Sequence, residues 1–134
     1  MNEIDRIYKE DIAKMETNHS ATLYKIMPII LSQVVFTKKE LEYADADNAN
    51  AEKHLANFWA AREAFLKALG TGFGEDITFS DVSVVHNDAG KPELLIAGGA
   101  RTALKESAGS DAVVHLSITD QDDYSAAIVV IEKN

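Results

Sequence analysis

One stretch, residues 55–72, restricts what this chain can fold into more than any other. Leu55, Phe58, Phe65 and Leu69 recur at spacings that keep them on one helical face, with Arg62 falling between them. Alanine and leucine fill most of the remainder, and both favour helix strongly. Gly70 stands where a left-handed C-terminal cap belongs. The stretch therefore predicts one central helix with a glycine stop.

Glu63 breaks the apolar pattern. It lies one turn from Trp59 and Leu66, and a carboxylate half sunk in such a helix needs a partner. Lys67, four residues on, is the nearest candidate. Two readings are open on spacing alone. The first is an ordinary i,i+4 salt bridge worth about 0.2–0.5 kcal/mol. The second is a metal-binding carboxylate with a phosphate-binding lysine one turn away. Magnesium suits the second, because it usually takes only one or two protein carboxylates and leaves its other positions to water and phosphate. The glycine-rich run Gly70 to Gly74 follows a helix rather than opening one, so it is not a P-loop. It reads as a cap plus a connection that lets backbone approach a ligand or a neighbouring chain.

The rest of the chain is read around this helix. Ile4 to Ile7 fits a short edge strand, and from about Tyr8 a helical pattern follows, with Ile12, Met15, Leu23, Ile26 and Met27 as apolar positions. Phe36 to Leu41 is a helix start: Thr37 caps, Glu40 stands three later, and Phe36 can pack on Leu41. Ala44 to Asn50 is small and polar and reads as a loop without the spacing of an EF-hand. After Gly74 the period becomes strand-like. Ile77 to His86 and Glu93 to Ile96 make a hairpin about the turn Asn87 to Gly90. Gly98 to Ser107 reads as a short helix with Ala100, Ala103 and Leu104 inward. Ala112 to Thr119 and Tyr124 to Glu132 make a last hairpin, and Ile128 to Ile131, apolar on both faces, belongs in the centre of a sheet. The pattern is α+β, and 134 residues suit one domain, 1–134.

Composition excludes several function classes. The chain has no cysteine, so disulfides, thiolate metal sites and cysteine nucleophiles are ruled out. A net charge of -9 argues against nucleic acid, whose nonspecific binding needs Lys and Arg. The longest apolar run, Ile26 to Val35, is interrupted by Pro28, Ser32 and Gln33 and is too short to span a bilayer. The start lacks a signal-peptide pattern, so a cytoplasmic protein without membrane association is expected. His19, His54, His86 and His115 fall on different predicted elements without metal-ligand spacing. His115, alternating with Val114 and Leu116, reads as a hydrogen-bonded structural histidine, and no Ser-His-Asp constellation can be argued.

Trp59-Ala60-Ala61-Arg62-Glu63-Ala64-Phe65-Leu66-Lys67-Ala68-Leu69-Gly70-Thr71-Gly72 resembles the signature of the holo-acyl-carrier-protein synthases, the short 4'-phosphopantetheinyl transferases. Their pattern is an aromatic residue, two small residues, Lys-Glu-Ala, then Lys-Ala and Gly-Thr-Gly. The resemblance also covers Phe36-Thr37 to Leu41, Asp81 to His86, Gly90-Lys91-Pro92, and Val114-His115-Leu116-Ser117-Ile118-Thr119 to the end. It implies the 4'-phosphopantetheinyl transferase fold, an antiparallel sheet packed against a long central helix. It further implies a homotrimer with active sites between subunits, coenzyme A as co-substrate, Mg2+ as cofactor and an acyl carrier protein as partner. Residue by residue, it implies that Glu63 and Asp5 hold magnesium and that Lys67 neutralises phosphate charge. Arg62 (in place of the usual Lys), Gly70, Thr71, Gly72, Lys91, Pro92 and Thr119 would then line the coenzyme.

Three positions depart from the pattern: Asp120 stands where a His is general, Phe58 where an Arg is frequent, and Asp11 near an Arg that docks the carrier. Each removes positive charge from a place that meets anions. A transferase acting on an acyl carrier protein is the leading expectation. A catalytically weakened or repurposed relative, kept as a carrier-directed binding module, is the alternative.

Overall fold

A computed structural model describes residues 8–16, 35–74 and 76–133. In chain order its elements are β1 (Tyr8–Glu16), α1 (Lys38–Ala46), a short 3-10 turn (Asn48–Asn50) and α2 (Ala51–Leu69). A second 3-10 turn (Phe79–Asp81) follows, then β2 (Val82–His86), β3 (Pro92–Ile96), α3 (Gly98–Ala108), β4 (Val113–Asp120) and β5 (Tyr124–Glu132). The α+β class expected from the pattern is what forms.

Helix α2 is the centre. Leu55, Phe58, Phe65 and Leu69 are all buried, as their spacing predicts, but so are Ala56, Ala60, Ala61, Ala64 and Ala68. The alanines let the sheet approach the helix backbone closely, and helix and sheet together form the core with Val129 and Ile131 of β5. Burying a side chain such as Phe65 contributes about 1.5–3 kcal/mol. The helix stops at Gly70, whose φ of 86° is left-handed. Its N–H donates to the carbonyls of Leu66 and Lys67, and the Thr71 N–H donates to Leu66, which satisfies the last turn.

Strand β5 lies between β1 and β4, antiparallel to both. The central place expected for Ile128 to Ile131 is correct in topology, although Ile128 remains partly exposed. Strands β2 and β3 form a separate antiparallel hairpin, with Val82 opposite Ile96 and His86 opposite Pro92. At its turn the Asn87 side-chain carbonyl accepts from the amides of Ala89 and Lys91.

Three boundaries differ from the sequence reading. The helical pattern expected from Tyr8 is overturned: Tyr8–Glu16 is a strand that pairs residue for residue with Glu132 back to Tyr124. The open edge of β5 offers that segment a full ladder of backbone partners, and such pairing overrides a weak helical period. Helix α1 runs on through Ala44 and Ala46, where a loop was expected, because Ala44 buries against the core. The strand predicted from Ile77 begins only at Val82, after a 3-10 turn in which the side chains of Thr78 and Asp81 cap each other's backbone. The edge-strand reading at Ile4 to Ile7 and the positions Leu23, Ile26 and Met27 lie outside the described residues.

Candidate active site

Glu63 and Lys67 project from consecutive turns of α2. Glu63 is half-buried and Lys67 exposed. No ion pair joins them or engages either with another side chain among the described residues. The bland i,i+4 salt bridge therefore does not form. Glu63 is half-buried on an apolar helix with no counter-charge among the described residues, a place where a cation can serve as its partner. Its companion in the expected metal pair, Asp5, lies outside the described residues. Among the described residues no group of three or more His, Asp or Glu side chains converges on a metal position. A magnesium ion shared with a pyrophosphate needs only one or two protein carboxylates, so the donor chemistry of Glu63 fits it.

Three aromatic rings hold the surrounding backbone. Trp59, one turn before Glu63, lies 6.4 Å from Phe73 and 5.7 Å from Phe79, and Phe73 and Phe79 are 4.2 Å apart between ring centroids. The loop after Gly72 and the 3-10 turn are thereby pinned against the helix face that precedes Glu63. Thr71, Gly72 and Gly74 line a cleft of about 500 Å³, whose far wall is Gly99, Thr102 and Glu106 of α3. Gly99 is required: a Cβ there would stand 1.5 Å from the Asp76 carbonyl oxygen. Asp76 and Glu106 make this cleft locally acidic.

The other residues expected to line the coenzyme lie elsewhere. Lys91 and Pro92 edge a second concavity of about 210 Å³ between β3 and β4, with Leu94 and His115. Thr119 is exposed near the end of β4. His115 is exposed too, and no side-chain hydrogen bond ties it to another described residue.

Arg62 corrects the sequence reading outright. It was expected to face the coenzyme, but its side chain is fully buried. Its Nη1 donates to Glu40 Oε2 at 2.8 Å, its Nη2 to Glu40 Oε1, and its Nε to the Phe79 carbonyl at 3.2 Å. A guanidinium occupied in this way has no freedom to bind phosphate. The signal was present but its target was not: Glu40 was read only as the second half of the capping box with Thr37, which does form.

Asp120 also has partners that local sequence hides. Asn57 Nδ2 donates to it at 2.9 Å and Lys53 Nζ lies 3.7 Å away, both from α2. Its charge is therefore compensated from the helix. Phe58, at the other departure, is a core side chain packed near Tyr43, His54 and His86. Tyr43 and His86 stack with ring centroids 3.9 Å apart. His54 lies 2.9 Å from Asp47, and this hydrogen bond, with that from Asn50, holds the Asp47 carboxyl below its ordinary pKa. Burial, then the charge on His54, holds His86 below its own.

The sequence matches the 4'-phosphopantetheinyl transferase superfamily over residues 10–129. The chain belongs to this superfamily. It is 41% identical over 99 residues to a holo-[acyl-carrier-protein] synthase of Wolbachia pipientis, an alignment covering 72% of this chain and 74% of the relative. Its fold superposes on the ACPS-CoA complex of Chronobacterium ammoniagenes with a TM-score of 0.82 and 26% identity, covering 96% of this chain and 98% of the other. It superposes on a holo-(acyl-carrier-protein) synthase of Bacillus anthracis in complex with CoA (3',5'-ADP) with a TM-score of 0.72 and 27% identity, covering 95% and 96%. The transferase fold that the resemblance implied is therefore the fold of this chain, and the chain is a transferase of the holo-acyl-carrier-protein synthase kind. No helix among the described residues is long and apolar enough to cross a membrane.

Proposed function

We propose that this chain transfers 4'-phosphopantetheine from coenzyme A to a serine of an acyl carrier protein, with magnesium as cofactor and 3',5'-ADP as leaving group. The observation that carries the reading is Glu63: a half-buried carboxylate with no protein counter-charge among the described residues, one turn from an exposed Lys67. The serine oxygen forms a bond to the phosphorus that carries pantetheine, the bridging P–O bond breaks with its electrons on the leaving 3',5'-ADP, and the serine proton passes to solvent. The barrier is crowding of negative charge and alignment of the two oxygens. Glu63, and Asp5 if it reaches the site, would hold the magnesium, which when bound supplies Lewis-acid stabilisation of the pyrophosphate. Lys67 supplies a mobile positive charge to the same phosphates. Gly70 and Gly72 would place backbone near the ligand without side-chain bulk, with Thr71 between them.

Lys91, Pro92 and Thr119 lie on other surfaces than the Thr71–Gly72 cleft. A site that used all of them would draw residues from more than one copy, which supports the homotrimer. The same reading has the chain act as one domain in the cytoplasm. The alternative, a weakened or repurposed relative, is favoured by one observation: Asp120 presents a carboxylate where a phosphate donor is usual, and it engages Lys53 and Asn57.

Mass spectrometry of an apo carrier protein incubated with coenzyme A, magnesium and this protein decides between them. A phosphopantetheine mass gain is expected. No gain across several carriers, with coenzyme A still bound in a calorimetric titration, favours the binding module.

A further inference from the structure

We propose that the buried Arg62–Glu40 pair is the positioning element that aims Glu63 at the metal; the inference rests on the reading that Glu63 is the metal ligand. Between Phe58 and Phe65 the buried residues of α2 are Ala60, Ala61, Arg62 and Ala64. Arg62 is thus the one buried side chain on that stretch longer than a methyl group. Alanines alone leave a smooth surface on which a helix can turn or slide.

Arg62 removes that freedom by tying α2 to several elements at once. Its Nε bonds the Phe79 carbonyl in the 3-10 turn. Its two terminal nitrogens grip both oxygens of Glu40 on α1. Glu40 in turn accepts from Val84 N of β2 at 3.0 Å and from Thr37 N at 2.9 Å. The guanidinium is therefore fixed relative to α1, β2 and the turn together.

Glu63 is the next residue, about 100° further round the helix. A side-chain tip about 5–6 Å from the axis moves by about 1 Å for every 10° of helix rotation. Magnesium demands near-ideal geometry, and a 1 Å misplacement costs roughly a hundredfold in rate. A buried ion pair is weak as a stability device compared with apolar side chains of similar volume. Its contribution here is the orientation it enforces.

The test compares Glu40→Gln/Arg62→Met, Arg62→Lys, Glu63→Ala and wild type. The double variant removes both charges and leaves one carbonyl acceptor, enough for either the Val84 or the Thr37 amide, which donate to different Glu40 oxygens. Uptake of Mn2+ in the presence of coenzyme A, followed by electron paramagnetic resonance, is measured beside transfer kinetics and thermal melting. The double variant is expected to bind Mn2+ at least about tenfold more weakly and to lose about a hundredfold in kcat with little change in carrier KM. Arg62→Lys keeps the charge but loses the planar fork. It is expected to melt several degrees below wild type because the Phe79 carbonyl loses its donor, to stay folded, to fall between wild type and the double variant in both readouts, and to carry the test if the double variant does not fold. Folded variants with wild-type Mn2+ affinity and kcat overturn the inference, provided Glu63→Ala loses the metal. Equal Mn2+ uptake by wild type and Glu63→Ala instead removes Glu63 as a ligand, and the underlying reading fails first.

Discussion

Gly99→Ala is the substitution whose consequence the structure specifies most closely. Its new Cβ would lie 1.5 Å from the Asp76 carbonyl oxygen and 2.6 Å from the carbonyl carbon. Both are backbone atoms, so no rotamer change relieves the clash. The start of α3 and the loop at Asp76 must part by roughly 2 Å to reach ordinary contact. Overpacking of this kind costs typically about 1–3 kcal/mol, and backbone against backbone places this case at the upper end. For a chain of this length that corresponds to a melting temperature lowered by about 10 °C. The same movement widens the cleft lined by Thr71, Gly72, Thr102 and Glu106, so coenzyme A affinity is expected to fall as well. Gly72→Ala is the control, since a Cβ there meets nothing within 4 Å; its melting should stay within about 2 °C of wild type. Differential scanning calorimetry of the three proteins checks this. A Gly99→Ala melting curve superposed on wild type would refute the close approach.

Three other outcomes are expected. Glu63→Ala should leave melting within a few degrees of wild type and lower carrier modification by about a thousandfold, since loss of a metal's charge stabilisation costs several kcal/mol; single-turnover mass spectrometry would measure it, and retained transfer would exclude the residue. Asp120→His should tighten coenzyme A binding by about tenfold, or about 1.4 kcal/mol, by removing a carboxylate that engages Lys53 and Asn57; an unchanged calorimetric titration would place Asp120 away from the coenzyme. For pH, burial and His54 depress the His86 pKa below 6.5, so the unfolded chain takes up a proton that the native state resists. Stability is intact above about pH 6.5 and declines as pH falls below it, levelling beneath the folded pKa. His86→Gln should flatten the melting profile between about pH 7 and pH 5; an undiminished slope would assign the effect to another group.

Family membership and the main elements were legible because their causes are local. The spacing of Leu55, Phe58, Phe65 and Leu69 is a helix period, Gly70 is a left-handed stop, and Thr37 with Glu40 is a box closed over three residues. The two hairpins announced themselves by alternation and turn residues. Each of these signals acts within a few residues, so a linear reading recovers it. Glu63 and Lys67 were singled out from their place in an apolar helix, and the structure leaves Glu63 half-buried and Lys67 exposed there.

Contacts between distant residues decided the rest. Arg62 stood beside Glu63 in the sequence and was read as a phosphate ligand, yet it turns inward to a carboxylate 22 residues away. Asp120 read as bare negative charge, but it meets Asn57, 63 residues earlier, and Lys53 on the same helix. Tyr8–Glu16 carried a helical period and became a strand because β5 offered it a paired edge. Burial and electrostatic pairing depend on what the folded chain brings alongside a residue. The sequence alone determined the central helix, its glycine stop and the two hairpins, whose causes are local; tertiary structure decided the strand at Tyr8–Glu16 and which charged side chains of the helix face solvent and which lock it in place.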